Sequence, residues 1–289
     1  MQHANDDQKY VVQTLARALR ILWGMAARND GWTLEELARE HDVNKASLLR
    51  ILRTFENDGV ILRENQRYRL GPRVLDLGYG YLNGLEVDTA ARPYMGRLAA
   101  ATGQTVSVAV LDGLDVVYIA FEKANRELGI LDEIGGRHPA NATALGKVLL
   151  ADLEPDALDR TIDGRELPRL THRTVHTRDA LAAQLERVRS QGYAIDDEER
   201  GIGIRCVAAP IRDAGGRVIA GISVSGAIFH MTDDVLTEHA RKVRDAAEEI
   251  SERLGYVPGR GTARPGQKAR PVVTADEGGR SITAKGLGD

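Results

Sequence analysis

The segment 44–57 constrains the fold most, because its apolar and basic residues separate onto opposite faces of one predicted helix. Asn44 can cap the helix, and Gly59 follows its end. The apolar stripe consists of Leu48, Ile51, Leu52 and Phe55. The opposite face carries Ala46, Arg50, Arg53, Thr54 and Asn57. A helix that buries one face exposes the other, so the two arginines are predicted to point outward.

Two further helices are predicted before this helix in the sequence, and a hairpin is predicted after it. A first amphipathic helix is predicted up to about residues 29–31, and Thr33 with Glu36 forms a capping box for a second helix over 34–41. The apolar face predicted for the first helix is Val11, Leu15, Leu19, Leu22 and Ala26. Residues 60–63 and 67–70 are predicted to form a hairpin. Three helices followed by a hairpin is the order of a winged helix-turn-helix.

The outward face of the third helix is basic, although the chain has a net charge of only −3. Between positions 45 and 73, seven basic residues stand against three acidic ones. Small residues and cations on one helix face fit the major groove of DNA. A solvated charged face is the alternative, and phosphate contact is favoured over base readout for any single arginine. The predicted DNA-binding residues are Thr33, Asn44, Lys45, Ala46, Ser47, Arg50, Arg53, Arg63, Arg67 and Arg69.

The length of 289 residues predicts about two domains. Gly71-Pro72 ends the first, and the following apolar segment needs a partner, which is either another subunit or the chain's own second domain. The predicted organisation is a disordered N-terminus (1–9), a DNA-binding domain (10–71), a linker and dimerisation helix (72–86), a second domain (87–256) and a disordered tail (257–289). In 87–256, predicted strands and helices alternate, which indicates an α+β fold with an antiparallel-rich sheet.

The stretch 192–211 combines four acids, two further glycines and the chain's single cysteine with an apolar strand. An acidic loop that leads directly into a buried strand suggests a pocket wall. The spacing of Gly192, Asp196, Glu199 and Cys206 resembles the signature of the IclR family of bacterial transcriptional regulators. The 141–151 motif, the Asp112-Gly113 turn and the helix order also resemble that family, over roughly residues 10–256.

The resemblance implies a GAF-like C-terminal domain that binds a small molecule, and dimers or tetramers. The family's ligands are mostly small carboxylates and aromatic acids. Carried over position by position, the effector pocket comprises Ala144, Leu145, Asp196, Cys206, Ser223 and Ser225. A helix amino terminus offers N–H groups to a carboxylate, and two serines that alternate along a strand face one side.

Several positions depart from the family pattern. Asn141 stands where histidine is common, and Ala144-Leu145 is bulkier than the Gly-Ala of some glyoxylate-type sensors, which argues against a very small ligand. Asn44 and Leu49 replace residues that are frequent in the recognition helix. The DNA target therefore does not transfer from other members.

Four other places in the sequence carry residues with chemical potential. Cys206 could be a nucleophile, a metal ligand, a redox sensor or a pocket wall. A simple buried strand residue is favoured, and a pocket wall comes second. Residues 196–199 could bind a cation, but a solvated loop with one or two pocket-facing acids is favoured. His172 and His176 lack a helical pattern that would make a zinc pair. Gly146-Lys147 lacks the remaining residues of a phosphate-binding loop.

We therefore expect a ligand-responsive transcriptional regulator, a repressor in preference to an activator. We expect no enzymatic activity, cofactor or metal. Its expected partners are double-stranded DNA, a small carboxylate effector and further copies of the chain. The alternatives are a cysteine-dependent enzyme fused to a DNA-binding module and a DNA-binding protein without a ligand. The polar N-terminus and the absence of long apolar runs lead us to expect a cytoplasmic protein.

Overall fold

The structure is a computed structural model that describes residues 11–123 and 133–258. The described chain divides between Gly84 and Leu85 into two compact units. The predicted disordered N-terminus (1–9) lies outside the described residues, as does all but the first two residues of the predicted tail (257–289).

Three helices, a hairpin and a fourth helix make up the described part of the first unit. Their bounds are α1 (Gln13–Met25), α2 (Leu34–Glu40), α3 (Lys45–Asn57), β1 (Ile61–Glu64), β2 (Arg67–Leu70) and α4 (Val74–Asn83). The predicted helix-turn-helix with a hairpin is confirmed. Leu48, Ile51 and Leu52 of α3 are buried, as the stripe predicted, while Phe55 is half-buried.

Side-chain caps begin α2 and α3. The Thr33 hydroxyl accepts a hydrogen bond from the Glu36 N–H at 3.2 Å, and the Thr33 N–H donates to the Glu36 carboxylate at 2.8 Å. Asn44 Oδ1 accepts from the Ser47 N–H at 2.8 Å. Each cap satisfies a backbone donor that the helix itself leaves without a partner.

The hairpin has a two-residue turn in which Asn65 and Gln66 have φ values of 48° and 64°. Two consecutive left-handed residues match the twist of a tight antiparallel hairpin. Trp32 pairs with Tyr68 through two backbone hydrogen bonds of 2.8 and 2.7 Å. This bridge ties the hairpin to the segment between α1 and α2.

The predicted apolar face of α1 is wrong. Leu15 and Leu19 are exposed, and the buried residues are Ala18, Ile21 and Met25. The helix carries two apolar stripes, because Leu15, Leu19 and Trp23 form a second one that is exposed. Periodicity finds both stripes, but only the packing partners decide which one enters the core.

The second unit is an antiparallel sheet with helices on both faces, which confirms the α+β prediction. Its described elements are α5 (Glu86–Thr102), β3 (Thr105–Asp112), β4 (Asp115–Glu122), β5 (Arg137–Pro139), α6 (Ala144–Leu150), α7 (Pro155–Ile162), α8 (Arg178–Gln191), β6 (Ala194–Asp197), β7 (Ile204–Arg212), β8 (Val218–Ala227) and α9 (Asp233–Arg253). The strand order is β5-β4-β3-β8-β7-β6.

The two faces of the sheet pack against different helices. Helix α6 packs on one face and shares a core with Ala109, Tyr118, Cys206 and Ala208. The alternate strand residues point to the other side, where α5 and α9 lie against β3, β4, β7 and β8. The predicted helix over 90–102 begins four residues earlier, so Pro93 lies inside α5 rather than near its start.

Helix α6 approaches its preceding turn so closely that residue 146 has no room for a side chain. A Cβ atom at Gly146 would lie 2.1 Å from the Ala140 carbonyl oxygen. We expect Gly146→Ala to lower the free energy of unfolding by about 1–3 kcal/mol, because the buried backbone has to shift. Urea unfolding followed by circular dichroism measures this change.

Gly96→Ala is the matched control. Gly96 lies in α5, and a Cβ atom there meets nothing within 4 Å. This variant should be neutral or more stable by roughly 0.5–1 kcal/mol, since alanine favours the helix over glycine. Equal stability of the two variants would show that the close approach of α6 is relaxed at no cost.

Candidate functional site

The exposed face of α3 carries the cations that the sequence predicts. Arg50 and Arg53 are exposed, on the side opposite the buried Leu48 and Leu52. Ala46 is also exposed, so this side of the helix is narrow near its amino end. Lys45 forms an exposed ion pair with Glu35 at 2.7 Å. Such a pair contributes little to stability, so the Lys45 ammonium can exchange partners readily.

The three arginines of the hairpin are in different environments. Arg63 is exposed, and its guanidinium lies 5.5 Å from the centre of the Tyr68 ring. Arg69 pairs with Glu64. Arg67 is half-buried and donates to the Gly31 carbonyl at 2.9 Å. Arg67 therefore helps to hold the hairpin in place, whereas Arg63 presents its charge to solvent.

The predicted effector residues converge in the second unit. Asp196, Cys206 and Ser225 are direct cross-strand neighbours on β6, β7 and β8. Ser223 lies two residues before Ser225 and therefore on the same face of the sheet. All four side chains are buried. Three strands that are distant in sequence thus bring these polar groups together.

Helix α6 covers this part of the sheet. Ala144 and Leu145 begin the helix and are buried. The Thr143 hydroxyl accepts a hydrogen bond from the Gly146 N–H at 2.9 Å, so one donor that the sequence assigned to a ligand is already used. A Cβ atom at Gly221 would lie 2.9 Å from Leu145 Cδ2, which shows how tightly the helix packs on β8.

A cavity lies between α6 and the sheet. It is lined by Tyr118, Thr143, Ala144, Leu145, Asp196, Arg200, Cys206, Ser223 and Ser225. The space between these side chains is about 250 Å³, and the part open to the centre of a water molecule is only about 10 Å³. This is room for about one water molecule. An organic ligand therefore requires the side chains to move apart.

The cavity includes three residues that sequence reasoning missed, namely Tyr118, Thr143 and Arg200. Arg200 directly follows the acidic run, so its place in the sequence could have indicated that it lines the cavity. Tyr118 comes from β4, which is not a neighbour of β6 or β7 in the sheet. Nothing in the local sequence of β4 connects that tyrosine to the pocket.

A larger and more open groove of about 450 Å³ lies elsewhere on the second unit. Its charged groups already have partners within the chain. Arg212 pairs with Asp152 at 3.1 Å, and Arg189 donates to the Ala151 carbonyl at 2.7 Å. The smaller cavity is the better candidate site, because it is lined by Asp196, a buried carboxyl group one of whose oxygens has no hydrogen-bond partner.

The acidic run is not a simple solvated loop. Asp196 and Glu199 are buried, while Asp197 pairs with Arg173 and Arg205. Lys147 is fully buried on α6 and forms an ion pair with Glu199. Its ammonium also donates to the Ile195 carbonyl at 2.8 Å. Lysine, rather than a metal ion, therefore occupies the position next to Glu199.

His172 and His176 are exposed and lie outside the cavity. Within residues 11–123 and 133–258, no cluster of three or more metal-ligating side chains occurs. Asn141 has a clear structural contact, since its amide nitrogen donates to the carbonyls of Pro168 and Val175 at 2.9 and 2.8 Å. It holds the two ends of the segment between α7 and α8.

Comparison with known proteins places this arrangement in a family. Residues 79–252 match the model of the bacterial transcriptional regulator IclR C-terminal domain. Residues 14–64 match the model of the IclR helix-turn-helix domain. The chain belongs to the IclR family. The resemblance seen in the 141–151 and 192–211 segments is thereby confirmed.

Relatives match over nearly their whole length. The regulator XynR of Escherichia coli K12 is 33% identical over 250 residues, which are 85% of this chain and 98% of that protein. The regulator BhcR of Paracoccus denitrificans is 34% identical over 249 residues, 86% of this chain and 88% of that protein. The repressor AllR of Salmonella typhimurium is 30% identical over 248 residues, 85% and 91% respectively.

Solved IclR-type structures share the fold. The regulator RHA06195 from Rhodococcus sp. RHA1 superposes with a TM-score of 0.75 at 36% identity, covering 84% of this chain and 98% of that chain. The IclR protein of Thermotoga maritima gives a TM-score of 0.70 at 29% identity, covering 85% and 100%. This IclR-family chain is thus a DNA-binding, ligand-responsive transcriptional regulator.

Among its described residues, no helix has the length and apolar character to cross a membrane.

Asp196, which lines the cavity, has an unusual environment. Asp196 is 1% exposed, and its Oδ1 accepts from the N–H groups of Glu199 and Arg200 at 2.7 and 3.2 Å. Its Oδ2 is buried without a hydrogen-bond partner. Burial raises the pKa of Asp196 from 3.8 to about 6, and the nearby Lys147 opposes this only in part.

The raised pKa of Asp196 makes stability depend on pH. The folded protein binds the proton more tightly than the unfolded chain, so the stabilising contribution is complete below about pH 4 and is lost as the pH rises to about 6. Asp196→Asn removes this dependence, and its stability relative to the wild type should increase by up to about 3 kcal/mol between pH 4 and 7. Urea unfolding at several pH values measures the difference.

The exposed Asp234 supplies the matched charge control, as Asp234→Asn removes a carboxylate outside the cavity. We expect the relative stability of this variant to change much less over the same range. A flat pH profile for Asp196→Asn relative to wild type would show that Asp196 titrates as an ordinary exposed carboxyl group.

Proposed function

We propose that this IclR-family regulator binds operator DNA through α3 and binds a small organic acid in the cavity beneath α6. The exposure of Arg50 and Arg53, opposite the buried Leu48 and Leu52, is the observation that carries the DNA-binding assignment. The guanidinium groups need no rearrangement of the core to reach DNA. Among the hairpin arginines, Arg63 is well placed to contact DNA, because its guanidinium is exposed beside the Tyr68 ring. Arg67 is less available, since it is half-buried and donates to the Gly31 carbonyl. Arg69 forms an exposed ion pair with Glu64, which it can exchange for a phosphate.

The first unit carries exposed apolar residues that support assembly of copies of the chain. Leu15 and Trp23 of α1 are 58% and 71% exposed, and Val12, directly before the helix, is 64% exposed. Leu75 and Leu77 of α4 are 60% and 72% exposed. We propose that these faces pack against another subunit, in a homodimer or tetramer. A dimer would place two α3 helices on half-sites about 34 Å apart.

The cavity supports a sensor rather than an enzyme. Cys206 is buried in a strand between Asp196 and Ser225, so it forms a wall of the cavity. Asp196 donates or accepts according to its protonation, and Ser223 and Ser225 add hydroxyls. We propose that the effector is a small carboxylate and that its binding releases DNA. This repressor assignment follows relatives such as AllR, which is named a repressor.

Arg50→Ala tests the DNA-binding face. We expect weaker binding to a duplex selected with the wild-type chain from a randomised pool, by about 1–3 kcal/mol if Arg50 contacts a base edge. If it contacts a phosphate, the slope of log affinity against log salt should fall by about 1. Fluorescence anisotropy over a salt series measures both quantities.

Arg187→Ala provides the matched control, because Arg187 is exposed on α8 in the second unit. It removes the same charge from the chain but not from α3. Equal affinities and equal salt slopes for Arg50→Ala and the wild type would remove Arg50 from the interface.

Ser223→Ala tests the cavity. Loss of one hydroxyl should weaken effector binding by about 0.5–1.5 kcal/mol, while DNA affinity in the absence of effector stays unchanged. The effector is first found by thermal-shift screening of carboxylic acids, and the effector concentration that releases half of the DNA is then measured. Ser251→Ala is the control, since this serine is buried in α9, outside the cavity. An identical release curve for Ser223→Ala and wild type would exclude Ser223 from the site.

A further inference from the structure

The segment between α7 and α8 contains a loop whose ends meet. The Asn141 side-chain amide donates to the carbonyls of Pro168 and Val175 at 2.9 and 2.8 Å, so these two residues lie close together. Val175 packs against the core of the second unit. Leu167, directly before the loop, is buried in the same core. The ends of the 168–175 loop are therefore fixed, as in a compact Ω-loop.

The middle of the 168–175 loop is held by two hydroxyl groups. Thr171 Oγ1 donates to the Glu198 carbonyl at 2.8 Å. Thr174 Oγ1 donates to the Glu199 carbonyl at 2.5 Å and accepts from the Thr171 N–H at 2.8 Å. Each such bond contributes little net free energy, because water replaces the partner when the bond breaks. These bonds can therefore open while the core stays folded.

This loop bridges the helix side and the sheet side of the cavity. Asn141, which binds the ends of the loop, lies two residues before the cavity-lining Thr143. The carbonyls of residues 198 and 199, which bind its middle, lie between the cavity-lining Asp196 and Arg200. The loop therefore ties the turn before α6 to the segment that follows β6.

One of the two acceptor residues has a strained backbone. Glu198 has a φ of 59°, which few residues other than glycine adopt without cost. Its carboxylate accepts from the Gly203 N–H at 2.8 Å, and its Oε2 lies 3.5 Å from Arg173 Nε. The bond from Thr171 to its carbonyl adds to these contacts. Release of Thr171 therefore removes a restraint that opposes relaxation of Glu198.

We propose that the 168–175 loop is a strap that closes the cavity, and that its release at Thr171 and Thr174 gives small molecules access to the interior. This inference concerns the regulation of the effector site in the proposed function, on which it rests. Leu170 and His172 of the strap are exposed. Little further apolar surface is therefore exposed when the strap lifts.

The competing route into the cavity is movement of α6 away from the sheet. All seven residues of α6 are buried, and the Lys147 ammonium bonds to the Ile195 carbonyl and the Glu199 carboxylate. Movement of the helix alone would expose apolar side chains and separate a buried ion pair, which is strongly unfavourable. The strap exchanges its hydroxyl bonds for bonds to water and leaves the ion pair intact. Release of the strap is therefore the less costly first step.

The chain's single cysteine reports access to the cavity, because Cys206 is buried and lines it. Iodoacetamide alkylates the Cys206 thiol of the full chain, and mass spectrometry follows the rate without any effector. For wild type, we expect a slow rate that hardly changes at low urea concentration, because local opening exposes little surface. Labelling that requires global unfolding would instead accelerate steeply with urea.

Thr171→Val and Thr174→Val each remove one hydroxyl bond and should raise the labelling rate about 2- to 10-fold. Thr171→Ser keeps the hydroxyl and should stay within about twofold of wild type. Thr102→Val is the matched control, because the buried Thr102 hydroxyl donates to the Leu98 carbonyl within α5, on the other face of the sheet. This variant should label at the wild-type rate.

Urea unfolding shows whether each variant folds. If the valine variants fold and label at the wild-type rate, the strap does not control access, while the cavity remains the candidate effector site. Labelling that acquires the urea dependence of global unfolding leads to the same conclusion. If the valine variants label faster but Ser223→Ala leaves the effector response unchanged, the strap is supported and the effector assignment fails.

Hydrogen exchange of the wild type decides the question if neither valine variant folds. Amides of residues 169–174 should then exchange faster than those of α6, and the difference should persist at low urea concentration. Equal protection of the two segments would overturn the strap.

Discussion

A buried lysine fixes the geometry of the cavity. The Lys147 ammonium on α6 contacts both the Ile195 carbonyl and the Glu199 carboxylate, and its side chain is fully buried. Removing an ammonium from water costs several kcal/mol, which is offset only when its partners are well placed. Asp196 lies between the two residues that Lys147 contacts. The ion pair therefore determines where the pocket aspartate sits relative to the start of α6.

This constraint explains how so small a cavity could transmit a signal. The space open to water is only about 10 Å³, so an organic ligand has to push the side chains of α6 away from those of the sheet and the 198–203 loop. Because Lys147 joins these two elements, one cannot move far without the other. Ligand binding would then favour one joint position of α6 and the loop, because the two elements move together. An effector alters DNA occupancy only through such a difference in affinity between arrangements.

The sequence predicted features that depend on neighbouring residues and missed those that depend on distant ones. The stripe of α3 and the Thr33–Glu36 capping box follow from local spacing, and both are present. The core-facing side of α1 could not be chosen, since the helix has two apolar stripes and only tertiary packing distinguishes them. Tyr118 enters the cavity from a strand that is distant in sequence. Lys147 lies in the 141–151 motif and in an incomplete phosphate-loop pattern, and neither predicts its buried ion pair. Its burial depends on a carboxylate more than fifty positions away.

The Asp196 carboxyl shows why a binding site can carry an instability. The group is buried, one of its oxygens has no partner, and its pKa is raised because the charged form is poorly solvated. Packing could have avoided this cost with an apolar residue of similar size. The two backbone N–H groups of the loop bind the other oxygen, so the carboxyl also orients Arg200. A ligand that donates to the open oxygen removes the unfavourable term and stabilises the folded protein at once. Part of the binding free energy would then come from a defect that exists only in the empty state.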